Sequence, residues 1–396
     1  MAEEKLNNNI EKTGQADILY ISSVPVTLLY SGAAFMYRLF EGIEKRLIIF
    51  QGIKLHEGSQ LKDTNYNYYD PAFNRLRLTR FTEIYNILNI VRNFLFIPDK
   101  LNRIIKDKKP KVIITVSNGL LWILAYRVAK RYKLPLVILI HDDMSSYYSK
   151  KKISGKLIHF LFRKVYRSAR MRFCISELMK ERYDERYQVT AEVLYPLQGK
   201  QEAGIICTPI KLQKAITIAY AGSLDAGPYA DMIVMLANEL KAVNGSLIVF
   251  ANTFPEQLAS VSNIINYGFL TPDLLQQKLE ENAHALFVPF PFYDSALNVE
   301  LAFPSKIADY TIARKPLLIW APPDCALSTW FRSLPVPVGV LVESLDKTAV
   351  AEAIIQVSDP LNNASWGENS FNMGQAYFGN EKQQQFFFSK IKEVIG

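Results

Sequence analysis

Four short segments of this sequence combine residue types and spacings that can do chemistry. In Phe303-Pro304-Ser305-Lys306-Ile307-Ala308-Asp309-Tyr310, a proline suited to the first helical position precedes a hydroxyl and an amine in the first turn. A lysine there opposes the helix dipole, and an anion held at the same N-terminus would explain it. Asp309 follows Lys306 by three residues, on the same helical face, where it can meet a ligand's hydroxyls. The competing reading is a surface Lys–Asp pair. In Tyr220-Ala221-Gly222-Ser223-Leu224, a glycine at the end of an apolar run lets backbone N–H groups approach a phosphate, or merely turns the chain. His141-Asp142-Asp143 follows the apolar run PLVILI. An imidazole at a strand's carboxyl end can donate to a hydroxyl or phosphate, or act as a base. The adjacent carboxylates can orient it, or be plain turn and cap residues. Residues 22–32 (SSVPVTLLYSG) form a long connection ending in Gly32 at a helix start. It is not G-x-G-x-x-G, so an ordinary dinucleotide site is not expected; it either lines a substrate or only connects.

These segments matter because of the elements that must hold them. Strand-like apolar runs fall at 17–22, 46–51, 111–117, 135–140, 171–175 and 191–195, then at 216–221, 246–251, 264–267, 283–288, 316–320 and 338–342. Helical periodicity fills 32–42, 82–108, 118–132, 176–186, 229–243, 271–281, 305–313, 347–358 and 381–395. Continuous apolar strands between helices mean parallel sheets covered on both faces, and two such series mean two doubly wound α/β domains. In open sheets of this kind ligands bind beyond the carboxyl ends of the strands, where all four segments lie. The seam is expected within residues 196–214, which lack any period and are bracketed by Pro196 and Pro209. Domains of 1–197 and 212–377 follow, with a last helix at 378–396 free to pack back on the first. The stretch after Asp359, polar and containing Asn and Gly, reads as a turn region.

With 396 residues, 49% hydrophobic and 21% charged, the chain has material for large cores and excludes disorder and disulfide scaffolds. Cys174, Cys207 and Cys325 form no CxxC pair, and no His/Cys spacing suits a metal, so no metal and no bound cofactor are expected. The opening MAEEKLNNNIEKTGQ is polar and acidic, unlike a signal peptide, and no run of 18 apolar residues occurs; a cytoplasmic protein, soluble or peripherally attached, is expected. The net charge of +8 is uneven: residues 1–200 hold 34 Lys+Arg against 19 Asp+Glu, the remainder 12 against 19. The basic half should face an anionic lipid surface, nucleic acid or phosphorylated substrate.

Taken together, YAGSL, a later YGFL before a helix, the run ALFVPFP and FPSKIADYTIARKPLLI resemble the donor-binding half of GT-B glycosyltransferases, most nearly the retaining group 1 or family 4. A strand ending in His-Asp and the segment CISELMKERY agree in the first half. The resemblance implies two Rossmann-like domains facing across a cleft, the C-terminal helix crossing back to the first. It implies that Gly222 and Ser223 meet a nucleotide diphosphate, and that Tyr267, Gly268, Phe269 and Leu270 line the base. Pro304, Ser305 and Lys306 would form the phosphate-binding start of a helix, and Asp309 would meet the ribose where the family usually has glutamate. His141 would contact the transferred sugar or the phosphate, Gly32 would stand over the diphosphate, and Asp142, Asp294 and Glu300 are candidates for the sugar or acceptor. Two departures stand out: no Arg or Lys follows Gly222 in GSLDAG, and Glu300 is one position off the usual Glu–seven–Glu spacing.

The implied activity is hexosyl transfer from a nucleotide diphosphate sugar, with retention, to a lipid-linked or polysaccharide precursor. The missing cations motivate an alternative, a glycosyltransferase-like nucleotide-binding protein with weak or no turnover. Nucleic-acid binding is the weakest reading, because no helix-turn-helix, RRM or zinc-finger pattern occurs. Residues 150–172 carry nine Lys/Arg and no acid. Within them Leu157, Leu161 and Val165, beside Ile158 and Phe162, form a helical apolar face among cations. That is the pattern of a helix lying on an anionic membrane surface, and also of one packed in a core.

Overall fold

The computed structural model describes residues 17–29, 31–55, 59–69, 74–77, 79–144, 148–199, 215–224, 227–292 and 299–396. Contacts divide the chain into two units, Met1–Leu194 with Gln384–Gly396, and Tyr195–Gln383. The first unit holds a parallel sheet of β1 (Ile18–Ser22), β2 (Leu47–Gln51), β3 (Asn65–Tyr68), β4 (Val112–Val116), β5 (Leu136–Ile140), β6 (Met171–Cys174) and β7 (Glu192–Val193). Its order is β3-β2-β1-β4-β5-β6-β7. Between the strands lie α1 (Ser31–Phe40), α2 (Thr82–Leu95), α3 (Asp99–Lys108), α4 (Leu121–Tyr132), α5 (Ile153–Ser168) and α6 (Glu177–Tyr187). β1, β2, β4 and β5 are buried at every position, as apolar strands covered on both faces must be.

The second unit repeats the plan with β8 (Thr217–Ala221), β9 (Ser246–Phe250), β10 (Ile264–Asn266), β11 (Ala285–Pro289), β12 (Leu317–Trp320) and β13 (Gly339–Val342), in the order β10-β9-β8-β11-β12-β13. Its helices are α7 (Gly227–Ala242), α8 (Glu256–Ala259), α9 (Pro272–Asn282), α10 (Lys306–Tyr310), α11 (Ala326–Arg332), α12 (Lys347–Ser358) and α13 (Pro360–Phe378). α14 (Asn380–Ile395) follows, and its residues from Gln384 onward belong to the first unit. There Phe387, fully buried, packs on Phe173 at 5.1 Å, and Gln384 Nε2 donates to the carbonyls of Arg38 and Glu41.

Several features differ from the sequence expectation. The single helix over 82–108 is two, because Pro98 sits with extended ψ at the cap of α3. β3, sequence NYNY, is an edge strand made by backbone pairing to β2 and carries no apolar run. The turn region after Asp359 is the 19-residue helix α13, started by Asp359, whose carboxylate accepts from the N–H groups of Leu361 and Asn362, with Pro360 in its first turn. The division falls at Leu194/Tyr195 rather than after 197, because Tyr195 packs edge-on with Phe303, Tyr377 and Phe378, and Gln198 bonds Phe378 and Thr311. Cys174 and Cys325 are buried free thiols, and Cys207 lies outside the described residues.

Candidate functional site

Both sheets reverse direction beside their first strand, between β1 and β4 and between β8 and β11. In doubly wound sheets these reversal points are where ligands bind. In the second unit, β8 is followed by Gly222, whose φ is +150°, a backbone that side chains rarely adopt. A Cβ there would lie 2.7 Å from Lys306 Nζ and 3.1 Å from the Tyr220 hydroxyl. The absent side chain is therefore the space that the Lys306 amine uses. Lys306 Nζ sits 4.1 Å from the Tyr220 ring centre and 6.0 Å from that of Tyr229. Among the described residues its ammonium meets ring faces rather than a carboxylate, and burial alone pushes its pKa down to about 7.

Tyrosines fix this corner. Tyr310 Oη accepts from Ala221 N at 2.5 Å and lies 3.2 Å from Ala221 O, so α10 clamps the end of β8. Tyr220 Oη donates to Ser223 O at 2.7 Å and shapes the turn after Gly222. Below it, Phe303 packs edge-on against Tyr195 and Trp330, at 5.7 Å from each, and seats the segment that carries Lys306. Helix α10 begins at Lys306 with Ser305 as its cap, so Pro304 stands one residue before the cap rather than within the helix. At five residues, α10 has little dipole to offer, and the positive charge of the site is that of Lys306 itself. Asp309 Oδ1 accepts the Gly199 N–H at 3.0 Å, so this carboxylate also ties residue 199 to α10.

In the first unit, His141 follows β5 and is 7% exposed. Its ring meets Phe35 of α1 edge-on at 4.5 Å, and Nε2 is buried with no hydrogen-bond partner. Burial pushes its pKa down to about 4 against the opposing pull of Asp142, so the imidazole is neutral at physiological pH. It can donate or accept a hydrogen bond, but it is a weak base and no cation. Asn118 Nδ2 donates to Asp142 Oδ2 at 3.2 Å. Buried Asp143 accepts from Tyr183 Oη at 2.8 Å and pairs with Arg186 at 3.0 Å, which fastens α6 to the loop and makes its role structural. Ser23, after β1, accepts from the N–H groups of Leu120 and Leu121 at the start of α4. Exposed Gly32 has nothing within 4 Å of where a Cβ would stand, so no steric demand of the protein requires glycine there.

Residues 66–196 match the model of Glycosyltransferase Family 4. A crystal structure of Anabaena HepE in complex with UDP and glucose aligns at a TM-score of 0.65 and 12% identity, over 95% of this chain and 99% of that one. A glycosyltransferase from Rickettsia africae aligns at 0.68 and 14% identity, over 96% and 98%. The lipopolysaccharide outer core galactosyltransferase WaaB aligns at 0.61 and 15% identity, over 94% and 99%. No curated protein matches the chain by sequence.

The chain has the GT-B fold.

In this GT-B fold Gly222, Ser223, Pro304, Ser305, Lys306 and Asp309 come together around the end of β8 and α10. Tyr267, Gly268, Phe269 and Leu270 follow β10, two strands or roughly 10 Å from β8. Tyr267 leans on Phe250 at 5.3 Å, and Phe269 is 70% exposed. Glu300 is exposed, and its carbonyl accepts from Ala326 N at the start of α11; Asp294 lies outside the described residues. Sequence reasoning missed Tyr220 and Tyr310 as the frame of the Lys306 site, and Ser23 and Asn118 at the other reversal point. The SNG triplet after β4 was the available signal for Asn118.

One expectation is corrected. The α5 stripe of Leu161 and Val165, with Ile158 and Phe162, is buried in the core of the first unit, where Phe162 stacks on Tyr166 and meets Trp122, Tyr183 and Tyr187 edge-on. That face is therefore not available to a bilayer. The exposed side of α5 carries Lys156, Phe160, Arg163, Lys164 and Arg167. Among the described residues, no helix is long and apolar enough to cross a membrane.

Proposed function

We propose that this protein is a glycosyltransferase that moves a hexosyl group, with retention, from a nucleoside diphosphate sugar to a lipid-linked or polysaccharide precursor at the cytoplasmic face of a membrane. The observation that carries the donor part is the desolvated Lys306 amine set against side-chain-free Gly222. An amine with a pKa of about 7 in a low-dielectric corner gains most from an incoming diphosphate, and holds it more strongly as charge develops on the leaving group. Ser223 offers its backbone to the same anion, Asp309 the ribose contact, and the exposed Tyr267–Leu270 turn a platform for the base. His141, neutral and with an orphaned Nε2, is read as a hydrogen-bonding partner of the transferred sugar or phosphate. Asp142 and Glu300 remain candidates for sugar or acceptor contacts. The complexes of HepE with UDP and glucose, and of an E. coli trehalose-6-phosphate protein with UDP-2-fluoro glucose, make UDP-sugars the first donors to try.

A second reading, nucleotide binding with weak or no turnover, is favoured by the absence of Arg or Lys after Gly222. Purified protein incubated with UDP-, GDP- and dTDP-sugars separates the two. Nucleotide release or transfer with one of them supports the enzyme. Tight nucleotide binding with no release supports the binding protein.

A further inference from the structure

Helix α2 wears its amphipathicity inside out. Its buried face is Tyr85, Asn89, Ile90 and Asn93; the Nδ2 groups of the two asparagines donate to the carbonyls of Tyr85 and Leu120, while Asn93 Oδ1 is buried without a hydrogen-bond partner. Its outer face carries Phe81 at the cap, Ile84, half-buried Leu88, Val91 and Leu95, continued by Phe96. The spacing of three and four residues makes one unbroken apolar stripe, and Leu95 and Phe96 are 54% and 65% exposed. A soluble surface does not ordinarily display such a stripe opposite buried asparagines.

The two ends of the stripe are basic. Exposed Arg75, Arg77 and Arg80 precede α2, and the Arg80 guanidinium lies 4.9 Å over the Phe81 ring. Past the other end, Leu95 and Phe96 form one wall of a cavity of about 670 Å³. Its other walls bring Arg103, Lys106, Arg127 and Arg131 together with one acid, Asp99. Arg127 Nε is buried there without a hydrogen-bond partner. On α2 itself, the carboxylate of Glu83 is held by Ser154.

From this juxtaposition we infer that α2 and the adjoining cavity are a docking surface for anionic phospholipid. The stripe enters the boundary between headgroups and acyl chains, and a lipid phosphate enters the cavity. Apolar side chains between two cationic ends match a leaflet, which offers hydrocarbon under a sheet of negative charge. The inference deepens the membrane part of the proposed function and rests on that part alone, since it makes no use of the Lys306 site. It also moves the contact from the buried stripe of α5 to the exposed stripe of α2.

The test is co-sedimentation of the full chain with phosphatidylcholine vesicles, with and without admixed phosphatidylglycerol. Wild type is expected to sediment only with the anionic vesicles and to be released by salt. Val91→Glu with Leu95→Glu should weaken binding by more than about tenfold. Arg103→Gln with Lys106→Gln should weaken it roughly 30-fold, about fivefold per charge. UDP binding by calorimetry should be unchanged in both double variants, so a failed donor site and a failed membrane surface give different results. Should either variant fold poorly, Phe96→Trp decides: its added emission should shift to the blue and be quenched by brominated lipid. Wild-type sedimentation by Val91→Glu/Leu95→Glu, equal recovery with neutral vesicles, or an unshifted emission from the Phe96→Trp variant overturns the inference. So does self-association through the stripe without vesicle binding.

Discussion

Lys306 carries a pKa depressed from 10.5 to about 7, and the sign of that shift has consequences for both stability and binding. Between these values the unfolded chain binds a proton that the folded one does not, so this residue makes stability rise with pH across the window and weighs against the fold below it. Lys306→Met removes a desolvated amine while keeping most of its stem, and the ligand-free variant is expected to melt at or above the wild-type temperature. Donor affinity should fall about 10- to 150-fold, the 1.5–3 kcal/mol of a charge-assisted contact. Thermal melts and calorimetric titration of the donor check both halves, and undiminished affinity would place the diphosphate elsewhere. A diphosphate favours the ammonium, so binding above neutral pH should take up a proton and weaken as pH rises. Titrations in two buffers of different ionisation enthalpy read that proton directly, and equal heats would remove Lys306 from the contact. Asp309→Asn tests the neighbouring carboxylate, since an amide oxygen can still accept the Gly199 N–H. A raised donor KM with unchanged melting is the expected result, and an unchanged KM leaves Asp309 only its tie to residue 199.

Among the elements, α5 shows how one helix is finished by another. Its own cap residue, Lys152, contributes no side-chain bond. Instead Glu83 of α2 accepts from Ser154 N through Oε1 and from Ser154 Oγ through Oε2, both at 2.7 Å. These bonds hold the Glu83 carboxyl below its ordinary value of 4.5. The stabilisation is complete above that value and is lost as pH falls through the lowered one. Glu83→Ala should cost about 1 kcal/mol at neutral pH, the usual worth of a helix cap, and the difference from wild type should shrink on acidification. Urea denaturation at the two pH values measures it; a pH-independent difference would mean packing, not capping.

For the whole molecule, α14 decides whether the first unit has a complete core. Phe387 is fully buried and Ile391 3% exposed, while Lys390 pairs with Glu192 at 3.0 Å. Phe387→Ala in the full chain should therefore destabilise the first unit by about 3–5 kcal/mol. A denaturation curve monitored on that unit should shift by this amount, and a change under about 1 kcal/mol, of the order of a surface substitution, would mean that α14 is dispensable to it.

The sequence by itself determined both sheets, because strands covered on two faces must be continuous apolar runs, as in ILYIS, VIITV and LVILI. It also determined where chemistry could sit, since strand ends are visible as the points where such runs stop: His141 after LVILI, Gly222 after TIAYA. Tertiary structure alone decided what faces what. α13 reads as a turn region because its glycines are helix breakers in isolation. In the fold, Gly367 and Gly374 let the helix approach Arg314 and Thr311, where a Cβ would come within 2.3 Å and 2.2 Å of their oxygens. The bond from Gly199 to Asp309 joins positions that no local pattern relates. The helices α5 and α2 make the same point in opposite directions. Periodicity reveals that a helix has an apolar face, but the burial of that face depends on which neighbours the sheet brings beside it. The sheet took the face of α5 into its core and left that of α2 outside.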